Sequence, residues 1–174
     1  MRNYNKNLKL LTKNHVYSKE MEHDACGVGA IVSTEGKKSR IIVEYGIDAL
    51  KAVWHRGAVD ADGKTGDGAG IHLEIPKDFF IEKIEVTGHD YDNSEICVGM
   101  IFLPRNDYSA QESCKTIVES ELTKNNFSIY GWRQVPVNPK ILGQKAFQTM
   151  PEIMQVLFKS NDKNLLDKDL ERKI

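Results

Sequence analysis

Five glycines and three aspartates crowd the fourteen residues from Gly57 to Gly70. Each interior glycine costs a helix about 1 kcal/mol relative to alanine, and glycine weakens strands as well. No regular element runs easily through such a stretch, so it must be a long irregular loop, and loops of this length are commonly functional. Before it, Ile47, Leu50, Val53 and Trp54 fall at helical spacing and predict a short amphipathic helix. Asp48 would sit in the first turn of that helix, where the dipole favours a negative charge. Gly57 is a candidate for its left-handed cap. After the loop, Ile71, Leu73 and Ile75 alternate with His72 and Glu74, the pattern of a strand with one buried face.

The remaining chain is read in the same way. Val28 to Ser33 is apolar and β-branched, and a turn at Glu35-Gly36-Lys37-Lys38 leads to Ile41–Tyr45, so a hairpin is expected. Strands are predicted at Ile96–Leu103, Phe127–Val135 and Ile153–Phe158. Between Ile75 and Ile96, the polar run Glu82–Asn93 reads as a surface excursion. A helix is predicted over Tyr108–Lys124, a short one from Pro139 to about Phe147, and a helical pattern over Leu165–Lys173. Met1–Ala25 is polar without sustained period and reads as a leader or flexible arm. Short turns favour antiparallel pairing, and the helices are too few for a doubly wound parallel sheet. The expected class is α+β, with sheets covered by helices.

A length of 174 residues suits one domain with a real core. The net charge of −1 gives no basic excess that would ask for nucleic acid or an anionic membrane surface. No apolar run approaches the length of a membrane span, and the first twenty residues lack a secretory core, so the expected location is the cytoplasm. Three cysteines, Cys26, Cys97 and Cys114, cannot all pair within one chain. They read as free thiols in a reducing compartment. With His23, His72 and His89 they match no zinc spacing, so no metal is expected.

The tract Glu22-His23-Asp24-Ala25-Cys26-Gly27-Val28-Gly29 carries the sharpest chemistry. Cleavage between Ala25 and Cys26 would leave one residue with a thiol and a free α-amine. A free thiol titrates near ~8.5 and an α-amine near ~8, so that residue would hold a nucleophile and its own general base. The bland alternative is a buried structural thiol. Arg56, at a helix end, suits bidentate capture of a carboxylate; the alternative is a surface or capping arginine. His55 is a base or a satisfied structural histidine. Thr65-Gly66-Asp67-Gly68-Ala69-Gly70 lets backbone amides approach a ligand. No Lys-Ser/Thr follows its glycines as in a P-loop, and it leads into a predicted strand, which argues against phosphate binding. Lining a small-molecule pocket fits better, with plain turn formation as the alternative. Trp132-Arg133 reads as packing, with a cation–π contact open to the arginine.

These segments, in this order, resemble the class II glutamine amidotransferase domain of the glutamate synthase large subunit. The resemblance runs through Asp24-Ala25-Cys26-Gly27-Val28-Gly29, His55-Arg56-Gly57-Ala58 and the Thr65–Gly70 loop. It continues through Ile75-Pro76-Lys77-Asp78-Phe79-Phe80, Val98–Pro104, Gly131–Val137, Leu142-Gly143 and Ile153-Met154-Gln155-Val156. It implies an N-terminal-nucleophile hydrolase fold, a four-layer αββα sandwich with antiparallel sheets. It also implies a leader over residues 1–25 and the N-terminal portion of the domain over 26–174. Cys26 would be the nucleophile and L-glutamine the substrate. Gly27, beside the nucleophile, and Arg56 are the pocket residues it implies, and Thr65, Gly66 and Asp67 of the glycine loop are further pocket candidates on the reading above. No cofactor is implied for this chain, since FMN and an iron–sulfur cluster belong to later domains of a glutamate synthase.

The family's oxyanion-hole Asn-Gly has no counterpart here, because no Asn-Gly pair occurs in the chain. The family arginine and aspartate that grip the substrate also lie beyond Ile174. Losing an oxyanion donor costs about 10²–10³ in rate. The chain is therefore expected to be truncated at the C-terminal end of the domain. Either a separate chain carrying the rest of glutamate synthase completes it, or it is a remnant or binding module without turnover.

Overall fold

The computed structural model describes residues 27–53, 59–66, 68–162, 169–170 and 174. Two compact units form, Met1–Ala58 with Ala69–Ile71 and Val59–Gly68 with His72–Ile174.

In the first unit, helix α1 spans Arg40–Ala52. Ile42, Val43, Gly46, Ile47 and Leu50 are its half-buried positions. Their spacing of three and four residues marks one helical face. The expected strand at Ile41–Tyr45 is thus corrected. A short β-branched run is ambiguous by composition, and its period joins that of the residues after it. Without this partner, residues 27–33 have no ladder to complete and carry no strand; Val28 and Val32 are exposed. The helix predicted over Ile47–Trp54 is the last part of α1, which stops at Ala52 with Val53 as its cap; Trp54 lies outside the described residues.

The second unit is built on a three-stranded antiparallel sheet. Its strands are β1 (Cys97–Leu103), β2 (Phe127–Gln134) and β3 (Glu152–Ser160), in the order β1-β3-β2. Central β3 is apolar on both faces, as a strand covered on both sides must be. Leu157 packs with Phe80, Ile84, Ile96 and Tyr130. Its neighbours Val156 and Phe158 face the other way, toward Cys97, Phe127 and Leu170, with Val118 and Leu122 against them. Helix α2 (Lys77–Val86) supplies Phe80 and Ile84 to the first face. Helix α3 (Tyr108–Lys124) supplies Val118 and Leu122 to the second.

Helix α2 corrects the surface excursion expected over Glu82–Asn93, whose first five residues are helical. Its polar composition hides a pair at i and i+4, Phe80 and Ile84, which are buried to 6% and 0% exposure. Helix α3 begins at Asp107, whose carboxylate accepts from the Ala110 amide at 2.9 Å in standard capping geometry. Residues 68–76 have no regular structure, so the strand expected from the alternation at Ile71–Ile75 is corrected too. Alternation selects a face, but a strand also needs a partner for its backbone groups. Ile71 and Leu73 are both more than two-fifths exposed. A 3₁₀ turn at Pro139–Ile141 and helix α4 (Gln144–Thr149) replace the single short helix expected there.

Strand β2 carries a bulge. Ile129 pairs with Phe158 and Gly131 with Leu157, leaving Tyr130 as the extra residue. Gly131 has φ 147°, and a Cβ there would lie 2.9 Å from Thr87 Cγ2. A bulge glycine is the usual solution to both demands.

Among the described residues the α+β class holds, with one antiparallel sheet. No described helix is long and apolar enough to cross a membrane.

Candidate functional site

Of the residues singled out in the sequence, Cys26, Arg56 and Asp67 lie outside the described residues, as does His55. Gly27 lies in the first unit and is exposed. Thr65 and Gly66 lie in the second unit, where the structure brings them into one compact loop.

That loop closes on itself between Val59 and Gly66, which form an antiparallel bridge. Inside it, Asp60 N–H donates to Thr65 O at 2.7 Å and Gly63 N–H to Asp60 O at 2.9 Å. The Asp62 carboxylate organises the turn. It accepts from Lys64 N at 3.0 Å, from Thr65 N at 2.7 Å and from the Thr65 hydroxyl at 2.5 Å. The Thr65 hydroxyl bond, followed by the Thr65 and Lys64 amides, holds the Asp62 carboxyl well below the usual carboxylate range. A carboxylate so strongly stabilised as the anion is a poor general base. Thr65 therefore reads as a positioned hydroxyl rather than an activated nucleophile.

The loop is fastened to α4. Lys145 Nζ reaches both Asp60 oxygens at 2.8 Å. Ala146 N–H donates to Thr65 Oγ1 at 3.4 Å. Sequence reasoning gave Asp67 a place in the pocket but gave Asp60 and Asp62 no role. The readable signal was Asp62-x-x-Thr65, a spacing that lets an acidic side chain bond the amides two and three residues on. The partners Gly143, Lys145 and Ala146 carried no such local signal.

The other candidates resolve into structure. Cys97 is buried, and burial, with Glu95 adding to it, pushes its thiol up to about 11. It is a protonated core residue at neutral pH, not a nucleophile. Arg133 donates to Gln155 at 2.6 Å and lies over the Phe79 ring at 5.2 Å, which takes up the cation–π option. Trp132 Nε1 donates to Glu119 at 2.7 Å. The glycine loop leads through irregular chain to a helix that begins only at Lys77, so it lacks the strand–loop–helix frame of a phosphate site. Among the described residues, no group of three His, Cys, Asp or Glu side chains is placed to hold a metal.

Comparison with known proteins places these features in context. The family of class-II glutamine amidotransferases matches residues 26–174. The chain is 53% identical over 165 residues to the glutamate synthase [NADPH] large chain of Azospirillum brasilense, a match covering 95% of this chain and 11% of that protein. It is 40% identical over 154 residues to ferredoxin-dependent glutamate synthase 1 of Arabidopsis thaliana, covering 88% of this chain and 9% of that one. For ferredoxin-dependent glutamate synthase 2 of Synechocystis the identity is 38% over 137 residues, covering 78% of this chain and 9% of the relative. The chain thus spans about a tenth of the length of these relatives.

Proposed function

This chain belongs to the class-II glutamine amidotransferases, and from that premise we propose that it is the glutamine-hydrolysing segment of a glutamate synthase. Residues 1–25 are a leader whose removal frees the Cys26 α-amine. The amine takes the thiol proton, and the thiolate attacks the side-chain amide carbon of L-glutamine. The carbon–nitrogen bond breaks, the nitrogen is protonated, and ammonia leaves a γ-glutamyl thioester on Cys26. Water then attacks the thioester, releasing glutamate and restoring the thiol. A family match that starts at Cys26 is the observation that carries this reading.

The chain's other residues hold and orient. The Gly27 amide adjoins the nucleophile. The Arg56 guanidinium lies near it in the assembled site, and Thr65, Gly66 and Asp67 line the pocket. The completed site also needs oxyanion donors and a grip on the substrate's α-groups, within a four-layer αββα sandwich. No step needs a cofactor, since FMN and the iron–sulfur cluster belong to other domains of glutamate synthases. The setting is the cytoplasm.

The test is intact mass together with trapping. Protein recovered from cells, with any partner it holds, should begin at Cys26 and take up a diazoketone analogue of L-glutamine on that residue. It should also release ammonia from glutamine. A mature thiol that neither reacts with the analogue nor releases ammonia would leave the second reading, a non-catalytic remnant or binding module.

A further inference from the structure

Strand β1 is an open edge of the sheet. It pairs with β3 from Cys97 to Leu103 without a shift in register, and among the described residues no strand lies on its other side. Alternate residues of an edge strand turn their N–H and C=O groups outward, where another extended chain can take them up. A charge, a proline or a bulge on the edge discourages such pairing. The opposite edge, β2, has two of these devices, the bulge at Tyr130 and the charge of Arg133. The seven residues of β1, Cys-Val-Gly-Met-Ile-Phe-Leu, have none. Met100 and Phe102 are 50% and 64% exposed, on the face that alternation gives them with Val98.

The strand is complementary to itself. Two copies related by a two-fold axis at this edge run antiparallel. Residues opposite each other must share a face, so the axis passes at a residue and not between two. Only an axis at Met100 pairs the whole strand with its own copy. Cys97 then faces Leu103 of the second copy, Val98 faces Phe102, Gly99 faces Ile101, and Met100 faces its own equivalent. Val98, Met100 and Phe102 of both copies form one apolar row on the exposed face. On the other face the branched Ile101 stands opposite a residue that must stay small, since a Cβ at Gly99 would lie 2.8 Å from Val156 Cγ1.

Charge selects the same register. Glu95 stands two residues before the strand and Arg105 two residues after it. With the axis at Met100, Glu95 of each copy comes to the end of the strand where Arg105 of the other stands. Glu95 uses Oε2 for Lys77, and Arg105 uses Nη1 for the Phe147 carbonyl, so each has a further polar atom for this contact. An axis at Gly99 or Ile101 shortens the ladder and separates the two charges. We propose that β1 is a self-association surface, on which two copies of this chain join edge to edge in one continuous antiparallel sheet centred on Met100. A single strand pair buries less than the ~1,200 Å² of a stable interface, so the dimer is weak and forms only as concentration rises.

The test follows the full chain by sedimentation velocity across the micromolar range at low salt, where exposed charges are least screened. Wild type should pass from monomer to dimer. Met100→Lys sets two like charges on the axis and should weaken the dimer roughly 10-fold. Glu95→Arg and Arg105→Glu, each alone, should weaken it roughly 3- to 10-fold. An equimolar mixture of those two variants should regain wild-type association, because each chain then meets the opposite charge at both ends. Under a mild oxidant, Met100→Cys should give a disulfide-linked dimer faster than wild type, since opposite Cα atoms in an antiparallel pair lie within disulfide reach. Phe102→Cys, which faces Val98, should not. Circular dichroism matching wild type establishes that each variant is folded. A wild type that stays monomeric overturns the proposal. A dimer unchanged by Met100→Lys is built on another surface and overturns it too. A mixture of the charge variants no stronger than either alone, or faster crosslinking through Phe102→Cys than through Met100→Cys, overturns the register. Recovery of the chain bound to a different protein that Met100→Lys releases gives the edge to that protein and overturns self-pairing.

Discussion

The Tyr130 hydroxyl donates to Asp92 Oδ1 at 2.9 Å and ties the bulge of β2 to the loop that follows α2. The other Asp92 oxygen accepts from Lys159 on β3, and Lys159 also lies 5.2 Å over the Tyr130 ring. Thr87 completes the joint by donating its hydroxyl to the Tyr130 carbonyl at 2.8 Å. A short loop is thereby fixed to two strands at the site where their ladder is interrupted. The buried phenol is held neutral, first by desolvation and then by its bond to Asp92.

This joint should make stability fall in acid. Lys159, then Ser94, with Tyr130 adding, holds the Asp92 carboxyl well below its unfolded value near ~3.9. Its contribution is present above about pH 4 and is lost as pH falls through the lower folded value. Asp92→Asn should therefore flatten the acid limb of the urea midpoint plotted against pH. Because Asp92 is 41% exposed, solvent screening keeps the effect modest. An unchanged limb would count against the joint.

At Cys97 the sign reverses. Burial, with Glu95 adding to it, holds the folded thiol up at about 11, against an ordinary value of 9.0. The unfolded chain loses this proton first, so stability should decline as pH rises from about 9 toward 11. Cys97→Ala should abolish that part of the decline. In the native wild type at neutral pH, a thiol reagent should modify Cys97 only after denaturant is added.

Gly131→Ala should be costly for two separate reasons. The new Cβ would meet Thr87 Cγ2 at 2.9 Å, and φ of 147° is hostile to an L side chain. A loss of about 1–3 kcal/mol is expected, read as a lower urea midpoint. Thr87→Ser in the same background removes the Cγ2 methyl and keeps the hydroxyl on the Tyr130 carbonyl, so the double variant should recover some stability but not all.

Leu157, at 0% exposure in the central strand, tests the core itself. Leu157→Ala should cost about 2–5 kcal/mol, the range for cavities left in well-packed interiors. The denaturant slope should stay constant, since the folded topology is retained.

The elements best read from sequence are those whose apolar period runs long enough to exclude alternatives. Strands β1, β2 and β3 and helix α3 are of this kind, and their bounds fall within a residue or two of expectation. Ile41–Tyr45 misled because a β-branched composition outweighed a period that becomes clear only when Ile47 and Leu50 are included. Helix α2 was hidden among acidic and basic residues, with Phe80 and Ile84 as its one strong pair. Thr65 and Gly66 were singled out from glycine chemistry alone, and the structure places both in the loop capping α4.

Sequence alone determined the α+β class, the antiparallel pairing and the family, because period, turn residues and ordered motifs are local properties of the chain. Tertiary structure alone decided that Tyr130 would bulge toward Asp92, and that α4 would take its cap from Thr65. Those choices depend on contacts between residues tens of positions apart. Such contacts form only where packing brings two backbones within a few ångströms, and that distance leaves no trace in the spacing of residues along either segment.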